Sequence, residues 1–521
     1  MRRFNTAGPC LAGLHYMLPP LARLPGIEGL VEQFGYFVLH APRQSGKTTA
    51  LRELATLLTA SGRFAALHVS CEGGQAFDDN PAAAERILLR EVTLRAESDL
   101  PSDLRPLPWP AADPGSQVRT GLTAWSRACP RPLVLLLDEI DALRGDALIS
   151  VLRQLRAGFP ERPAHFPASV VLCGLRDVRD YKAASGGDPD HLGTASPFNV
   201  KVESLWLRNF TQEEVAALYG QHVAETGQPF TAEAVEQAFA ASGGQPWLVN
   251  ALAREAVEKM GVVPPGPVTA EHIEQAKERL ILARATHLDS LVARLGEERV
   301  RRIVGPLLAG GLVGSDTYDD DFQYVRDLGL VALDLPVRVA NPIYREVIAR
   351  VLSAAAEGNI VLEPRSFVRP DGRLDMARVL AEFADFWRQH GDVLAGRMPY
   401  HEVAPQLVLM AWLQRVVNGG GLVDREYGIG RGRIDLLVRW PHGDPRAWQR
   451  EALELKVWAP GRKDPLPKDL EQLDAYLARL GLDAGYLVLF DRRPEAGDSE
   501  ERTRFEERVA PSGRAITVLW A

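Results

Sequence analysis

The sequence predicts an α/β multidomain protein: a parallel-sheet domain in front, a helical middle, and a smaller α/β domain behind. Three observations carry that expectation. Through the first 200 residues, short and nearly continuous apolar runs (YFVLHA, FAALHVS, PLVLLLD, SVVLCGL) alternate with segments of helical spacing. Strands buried on both faces read this way, and their alternation with helices marks a parallel sheet. From about Phe210 the pattern turns helical, and from about Met376 helices give way to the strands RIDLLVRW, EALELKVW and GYLVLFD around one more helix.

Size and composition agree. At roughly 100–200 residues per domain, a chain of 521 residues holds about three or four domains. The 46% apolar and 25% charged fractions are those of an ordinary globular protein. A formal net charge of -8 excludes a global basic field, so any nucleic-acid site must be a local patch. Cys10, Cys71, Cys129 and Cys173 are far apart and form no zinc spacing or disulfide framework, which suits a reducing cytoplasm. The N-terminal MRRFNTAGPCLAGLHYM lacks the apolar core of a signal peptide, and the longest apolar run, near PLVLLL, is too short to span a membrane. A cytoplasmic protein with no membrane partner is expected.

In the middle of the chain, TQEEVAALYGQHVAETG and TAEAVEQAFAASGG each open on a Thr suited to cap a helix, and PWLVNALAREAVEKMG follows. The Pro- and Gly-rich GVVPPGPVT separates this block from the next. There QYVRDLGLVALDLPVRVANPIYREVIARVL reads as helix, strand, turn, strand, helix, a small helical domain with a β wing. EGNIVLEPRSFVRPDGRLD is a linker. The boundaries expected are 1–205 for the sheet domain, 206–272 for a helical lid, 273–355 for the winged-helix-like part, 356–375 for the linker and 376–521 for the last domain.

Ala41, Pro42, Arg43, Gln44, Ser45, Gly46, Lys47 and Thr48, followed by Thr49, read A-P-R-Q-S-G-K-T-T between a buried strand and a helix. The P-loop pattern is G-x-x-x-x-G-K-[ST], and only its first Gly is missing, with Ala41 in its place. Such a loop points backbone N–H groups at phosphates. Gly46 lets the backbone come close, Lys47 neutralises the β- and γ-phosphates, and Thr48 offers its hydroxyl to Mg²⁺. About ninety residues later PLVLLLDEID ends a buried strand in two acids. Asp138 is placed to hold Mg²⁺ through water and Glu139 to polarise an attacking water. ATP with Mg²⁺ is the expected ligand. Arg176, directly after SVVLCGL, either reads the γ-phosphate or forms an ion pair. Gly243-Gly244-Gln245-Pro246 is either a plain turn or a lid element near the nucleotide.

In the last domain Asp435 lies in RGRIDLLVRW and about twenty residues separate it from EALELKVW. Alternate residues of a strand share a face, so Glu454 and Lys456 point one way while Leu453, Leu455 and Val457 point into a core. Asp435 and Glu454 would supply hard oxygen ligands to a divalent metal, with Lys456 orienting or activating a water beside it. Gln472 and Tyr476 stand four apart on one helical face. Glu402 opens HEVAPQLVLMAWLQRVV as a further acid. Arg425, Arg431, Arg433, Arg462, Lys463 and Lys468 flank these motifs as candidate phosphate contacts or as an ordinary solvated face. A same-face salt bridge between Glu454 and Lys456 is the alternative.

RQSGKTT, LLLDEID, the strand-end GLR and GGQPWLVN resemble the AAA-like P-loop ATPases of the signal-transduction (STAND) and archaeal ATPase group, over about Phe4 to Leu352. The resemblance implies a P-loop NTPase sheet, a lid containing Gly244-Gln245-Pro246 with Pro246 near the nucleotide, and switching between nucleotide states, often with homo-oligomerisation. Asp435, the Glu454-x-Lys456 pair and the Gln472-x-x-x-Tyr476 helix resemble the PD-(D/E)xK nuclease superfamily over roughly Ala377 to Ala521. Glu402 fits the acid many members carry on their first helix. Ile434, not Pro, precedes Asp435. This implies a restriction-endonuclease-like domain using Mg²⁺ or Mn²⁺ on DNA. Jointly the resemblances imply an ATP-binding and hydrolysing protein that gates a DNA nuclease, in defence or mobile-element biology. Two alternatives stay open: a regulatory ATPase whose nuclease-like domain only binds nucleic acid or a partner, and a scaffold that oligomerises on ATP. The winged-helix-like helix DDDFQYVRDLG starts acidic and repels phosphate, which favours a relay role. Tyr344 and Arg345 are expected to pack against neighbours rather than read bases.

Overall fold

The computed structural model describes residues 1–77, 80–176, 198–283, 286–308, 319–332, 334–357, 367–397, 404–417, 421–429, 432–443, 447–458, 460–461, 463–497 and 499–521. The chain divides into two compact units. One comprises Met1–His287, Asp316–Leu335 and Ala340–Ile343, and the other Leu288–Ser315, Pro336–Val339 and Tyr344–Ala521.

In the first unit α1 (Ile27–Glu32) precedes β1 (Tyr36–His40), and α2 (Lys47–Ala60) leads to β2 (Ala65–Ser70). Then come α3 (Pro81–Asp99), α4 (Gln117–Ala128), β3 (Leu133–Asp138), α5 (Gly145–Gly158), β4 (Ser169–Gly174) and β5 (Lys201–Trp206). The strands form one sheet in the order β2-β3-β4-β1-β5, with every pairing parallel. The continuous apolar runs have a physical cause. Tyr36, Val38, Leu67, Leu135 and Leu172 face a core closed by Leu88, Val118, Leu122 and Val151. Phe37, Leu39, Ala66, Leu136 and Val171 face the opposite one, closed by Ile27, Val31, Leu51 and Leu54. Both faces are covered, so neither parity along a strand can be polar.

Next come α6 (Gln212–Thr226), α7 (Ala232–Ser242), α8 (Pro246–Arg254) and α9 (Ala270–Leu282). The Thr-initiated helices begin as expected: Thr211 and Glu214 form a reciprocal capping box, and Thr231 accepts from Ala234 N–H. α10 (Thr286–Arg294), α11 (Glu298–Leu308), α12 (Asp320–Asp327) and α13 (Pro342–Glu357) follow. The strand pair expected between α12 and α13 shrinks to single bridge residues at Val331 and Val339, with a backbone bond of 2.9 Å from Ala340 N–H to Leu330 O. Pro336 lacks the N–H that a longer ladder would need. Among the described residues no helix is long and apolar enough to cross a membrane.

The second unit holds α14 (Met376–Arg397), α15 (Ala404–Val417), β6 (Leu422–Ile429), β7 (Gly432–Pro441), β8 (Trp448–Trp458), α16 (Leu466–Leu480), β9 (Ala484–Asp491), β10 (Arg504–Val509) and β11 (Ala515–Trp520). Its sheet is mixed, in the order β10-β11-β9-β8-β7-β6. β8 pairs antiparallel with β7 and parallel with β9. Leu473, Leu477 and Leu480 of α16 pack on Leu437, Ala452, Leu487 and Leu489 of the sheet.

His287 lies buried against Trp247, ring centroids 5.0 Å apart, and burial, with the Arg43 charge in reach, pulls its imidazole down to about 4. The folded chain therefore holds this ring neutral, whereas the unfolded chain protonates it near 6.5. The associated stability is full above pH 6.5 and is lost as pH falls toward 4, about 2 kcal/mol of it between pH 7 and pH 5. In thermal unfolding at those two pH values, His287→Gln is expected to lose less stability on acidification than the wild type. An equal loss would discount this group.

Candidate functional site

The carboxyl ends of β1, β4 and β3 lie side by side, because β4 is seated between the other two. Ligands of open α/β sheets bind at this edge. β1 runs into the loop 41–46, and α2 begins at Lys47. Ala41, where the P-loop pattern has Gly, is fully buried and is not among the positive-φ residues, so its methyl group is accommodated. The left-handed positions are Gln44 at φ 58° and Gly46 at φ 96°. Gly46 is required twice over: its φ favours glycine, and a Cβ there would stand 2.8 Å from Arg23 Nη2. No side chain caps α2, which leaves its first N–H groups to an anion. Lys47 Nζ donates to Ala41 O (2.7 Å) and Pro42 O (2.9 Å), and Ser45 Oγ donates to Pro42 O (2.8 Å).

Asp138 ties the second motif to the loop. Its Oδ2 accepts from Thr48 Oγ1 at 2.7 Å and lies 3.2 Å from His68 Nε2, while Oδ1 accepts from Glu139 N–H at 3.0 Å. Burial pushes this carboxyl up, but the His68 and Thr48 hydrogen bonds outweigh it and hold Asp138 below its usual range. Glu139 sits in the left-handed region at φ 56°, uncommon for a residue with a Cβ. Ser70 Oγ donates to its Oε2. Burial raises the Glu139 carboxyl, with the Asp138 charge adding to it and the Ser70 bond opposing. Thr49 Oγ1 accepts from Cys10 N–H at 3.1 Å.

Arg176 is buried, with Nε 3.5 Å from Asp327 Oδ2 and its guanidinium 5.1 Å from the Tyr324 ring centre. The ion pair is thus the arrangement present. The Gly243-Gly244-Gln245-Pro246 turn does more than join two helices. Gln245 Nε2 donates to Arg43 O (3.5 Å) and Gln44 O (3.4 Å), and a Cβ on Gly244 would lie 2.0 Å from Phe210 O. Pro246 is buried as the first residue of α8, its carbonyl accepting from Asn250 at 2.8 Å. Sequence reasoning missed Arg23, Ser70 and His68. Arg23 is buried, donates to Ser45 O (3.0 Å) and Arg208 O (2.9 Å), and burial pulls it down to about 10. His68 and Ser70 sit at alternate positions near the end of β2, beside β3, a placement that needs the strand order.

In the second unit the β7–β8 ladder includes the Leu436–Leu453 pair, and just outside it Asp435 Oδ2 accepts from Leu455 N–H at 2.8 Å. Lys456 Nζ donates to Glu454 Oε1 at 2.7 Å and lies 3.6 Å from Asp435 Oδ2. Gln472 Nε2 donates to the same Glu454 oxygen at 2.7 Å. Asp435, Glu454, Lys456 and Gln472 therefore meet at one place. Glu454 is not at an open surface: it is 0% exposed, and α15 reaches the adjoining backbone through Gln406 Nε2, 3.4 Å from Leu455 O. Its Oε2 is buried without a hydrogen-bond partner among the described residues. Burial first, then the Asp435 charge, push Glu454 up to about 7. Burial pulls Lys456 down, but Asp435 and Glu454 outweigh it and hold the ammonium above the lysine range.

Tyr476 packs beside Leu473 and Leu477 in the apolar cluster of this unit. Glu402 lies outside the described residues, as do Arg431, Arg462 and the side chains of Arg425 and Arg433. Lys463 and Lys468 are exposed. Among the described residues no group of three His, Cys, Asp or Glu is placed to hold a metal ion. The two carboxylates still fit Mg²⁺ or Mn²⁺, because such ions commonly take one or two carboxylates and complete their shell with water and phosphate oxygens. The orphaned Glu454 oxygen is the donor that calls for such a charge. Asp469, buried on α16 three residues before Gln472, was also missed, although that spacing marks one helical face.

The sequence model of the family described as an AAA domain matches residues 32–181. No curated protein matches the chain. Among solved structures, a Walker-type ATPase of Pyrococcus abyssi is 11% identical, with a TM-score of 0.48 over 66% of this chain and 99% of its own. The Thermotoga maritima RuvB Holliday junction branch migration motor is 15% identical, with a TM-score of 0.33 over 63% and 92%. Cdc6p from Pyrobaculum aerophilum is 12% identical, with a TM-score of 0.34 over 64% and 95%.

Removing one partner of a desolvated charge pair costs about 2–5 kcal/mol, so Lys47→Ala is expected to weaken ATP binding by roughly 100-fold. Titration with a fluorescent ATP analogue measures it, and unchanged affinity would undo the assignment of the loop.

Proposed function

We propose that the AAA-type P-loop ATPase domain of residues 32–181 binds and hydrolyses ATP with Mg²⁺, and that its nucleotide state gates a metal-dependent DNA nuclease in residues 376–521. At the front, Gly46, Lys47 and the start of α2 would cradle the phosphates, and Thr48 with Asp138 would hold Mg²⁺. Glu139 would polarise the attacking water once free of Ser70, its partner in this structure. Gln245 against the loop and Asp327 against Arg176 support a relay, since phosphates arriving there must alter both contacts.

The observation that carries the nuclease reading is the convergence of Asp435, Glu454, Lys456 and Gln472. A divalent cation held by Asp435 and Glu454 would neutralise the scissile phosphate and acidify a water. Gln472 fixes Glu454 through its Oε1. Leu455 N–H fixes Asp435. Lys456 would hold and orient the water that attacks the phosphorus. The free state of all four cysteines suits a cytoplasmic setting, and the resemblance to switching ATPases extends the proposal to ATP-dependent self-association.

The experiment is cleavage of plasmid DNA with and without Mg²⁺ or Mn²⁺ and with and without ATP. Wild-type cleavage is expected to need the metal, to change with ATP, and to fall at least about 100-fold in Lys456→Ala. The change with ATP should vanish in Lys47→Ala. Equal, metal-insensitive activity in wild type and Lys456→Ala would leave a regulatory ATPase whose second unit only binds. Metal-dependent cleavage indifferent to ATP would sink the gating alone.

A further inference from the structure

On the face of the first sheet that packs against α2, His68 is a polar ring among apolar neighbours. Ala66 before it on β2 and Leu136 beside it on β3 belong to the core that Leu51 and Leu54 close. His68 is itself 7% exposed. Ser70 pairs with Asp138 in the β2–β3 register, so the carboxylate lies diagonally across from His68, and Nε2 comes within 3.2 Å of its Oδ2. A carboxylate only accepts, so Nε2 carries the hydrogen. Nδ1 is buried without a partner among the described residues. The hydrogen bonding of this ring is thus directed to one carboxylate. A leucine would fill the same place without leaving a nitrogen bare, so the fold alone gives no reason for an imidazole here.

The other donors at Asp138 are differently placed. Thr48 Oγ1 donates to Oδ2 at 2.7 Å, but this hydroxyl belongs to the phosphate loop's helix and is the one offered to Mg²⁺. Glu139 N–H reaches Oδ1 from the adjoining residue. The Cys173 thiol also bonds the carboxylate, as a weak donor. His68 is the nitrogen donor seated on a paired strand, outside the phosphate loop. An acid that holds a cation, through water as much as directly, does so in one orientation, and the groups bonded to it set that orientation.

We propose that His68 is a positioning residue of the nucleotide site, fixing Asp138 for the Mg²⁺ that arrives with ATP. It acts through the carboxylate and touches neither cation nor phosphate. This rests on reading Thr48 and Asp138 as the holders of Mg²⁺, which the uncapped start of α2 and the Thr48–Asp138 contact fit. Loss of the ring should therefore weaken what Mg²⁺ adds to nucleotide binding. Binding without the cation depends on Lys47 and the first amides of α2 and should change far less.

The test is titration of the full chain with a fluorescent, non-hydrolysable ATP analogue, once in EDTA and once in saturating Mg²⁺. The ratio of the two affinities is the gain from the cation. His68→Leu is expected to lower that gain at least about 10-fold, the scale of groups that support metal ligands. His68→Gln, which keeps an N–H near the Nε2 position, should stay within about threefold of the wild type. In an Asp138→Asn background His68→Leu should alter the gain by less than about twofold, as action through that carboxylate requires. An equal loss of affinity in EDTA and in Mg²⁺ makes the ring a structural element and overturns the proposal. So does a gain lost as fully in His68→Gln, or a further loss in the Asp138→Asn background. Melting curves identify a folding defect, and His68→Phe, of similar shape and without a donor, replaces His68→Leu if that variant melts early. A wild type that binds no tighter with Mg²⁺ removes the cation reading and the proposal with it, and one that does not bind the analogue removes the P-loop reading itself. An undiminished gain in His68→Leu beside a normal wild type sinks the positioning role alone.

Discussion

Thr48 and Asp138 are 90 residues apart in the chain and 2.7 Å apart in space, and the architecture of the first unit follows from bringing them together. The bond joins the start of α2 to the end of β3. It can form only if β1 and β3 run parallel with their carboxyl ends at one edge, and β4 seated between them keeps that arrangement. Parallel order requires crossover helices on the sheet faces, which is why the strands are apolar throughout. His68 is held at the same carboxylate from β2. A buried acid is tolerable there because donors surround it.

Strain is concentrated at the same edge. Gln44, Gly46 and Glu139 all have positive φ. Two of the three carry a Cβ, and each such residue costs on the order of 1 kcal/mol or more, supplied by the rigid sheet around it. Side chains also hold the P-loop backbone. Arg23 holds Ser45 O, Lys47 holds Ala41 O and Pro42 O, and Gln245 approaches Arg43 O and Gln44 O. The first amides of α2 have no side-chain cap and are left to an anion.

The second unit uses a different economy of charge. Glu454 is completely buried; Lys456 and the Gln472 amide hold its position, while burial first and then the Asp435 charge raise its carboxyl against the opposing pull of Lys456. Hydrogen bonds to Oε1 come from two sides while Oε2 has none among the described residues. A carboxylate satisfied on one oxygen and bare on the other is an unstable balance in a low dielectric, and such imbalance is typical of places that bind charge.

Local pattern was enough to read the alternation of strands and helices, the helix-capping threonines, the phosphate loop, the acidic strand end and the strand-borne Glu454 and Lys456, because each is set by spacing within a few residues. The wing strands between α12 and α13 were misread: the apolar alternation suggested a ladder, but Pro336, plain in the sequence, has no N–H to give it. The depth of Glu454 was not legible either: it shares a face of β8 with Ala452 and Trp458, and only the docking of α16 on that face settles that it is covered. Whether Arg176 stands ready for a phosphate or is already paired depended on α12, 151 residues away. Ser70, His68, Arg23 and Asp469 enter their sites through strand order and helix docking. Sequence by itself determined which residue types stand at which end of each element, because periodicity is a local property. Tertiary structure alone decided which of them meet, what is buried and which oxygen is left without a partner, because burial and pairing arise from chain segments that no local spacing relates.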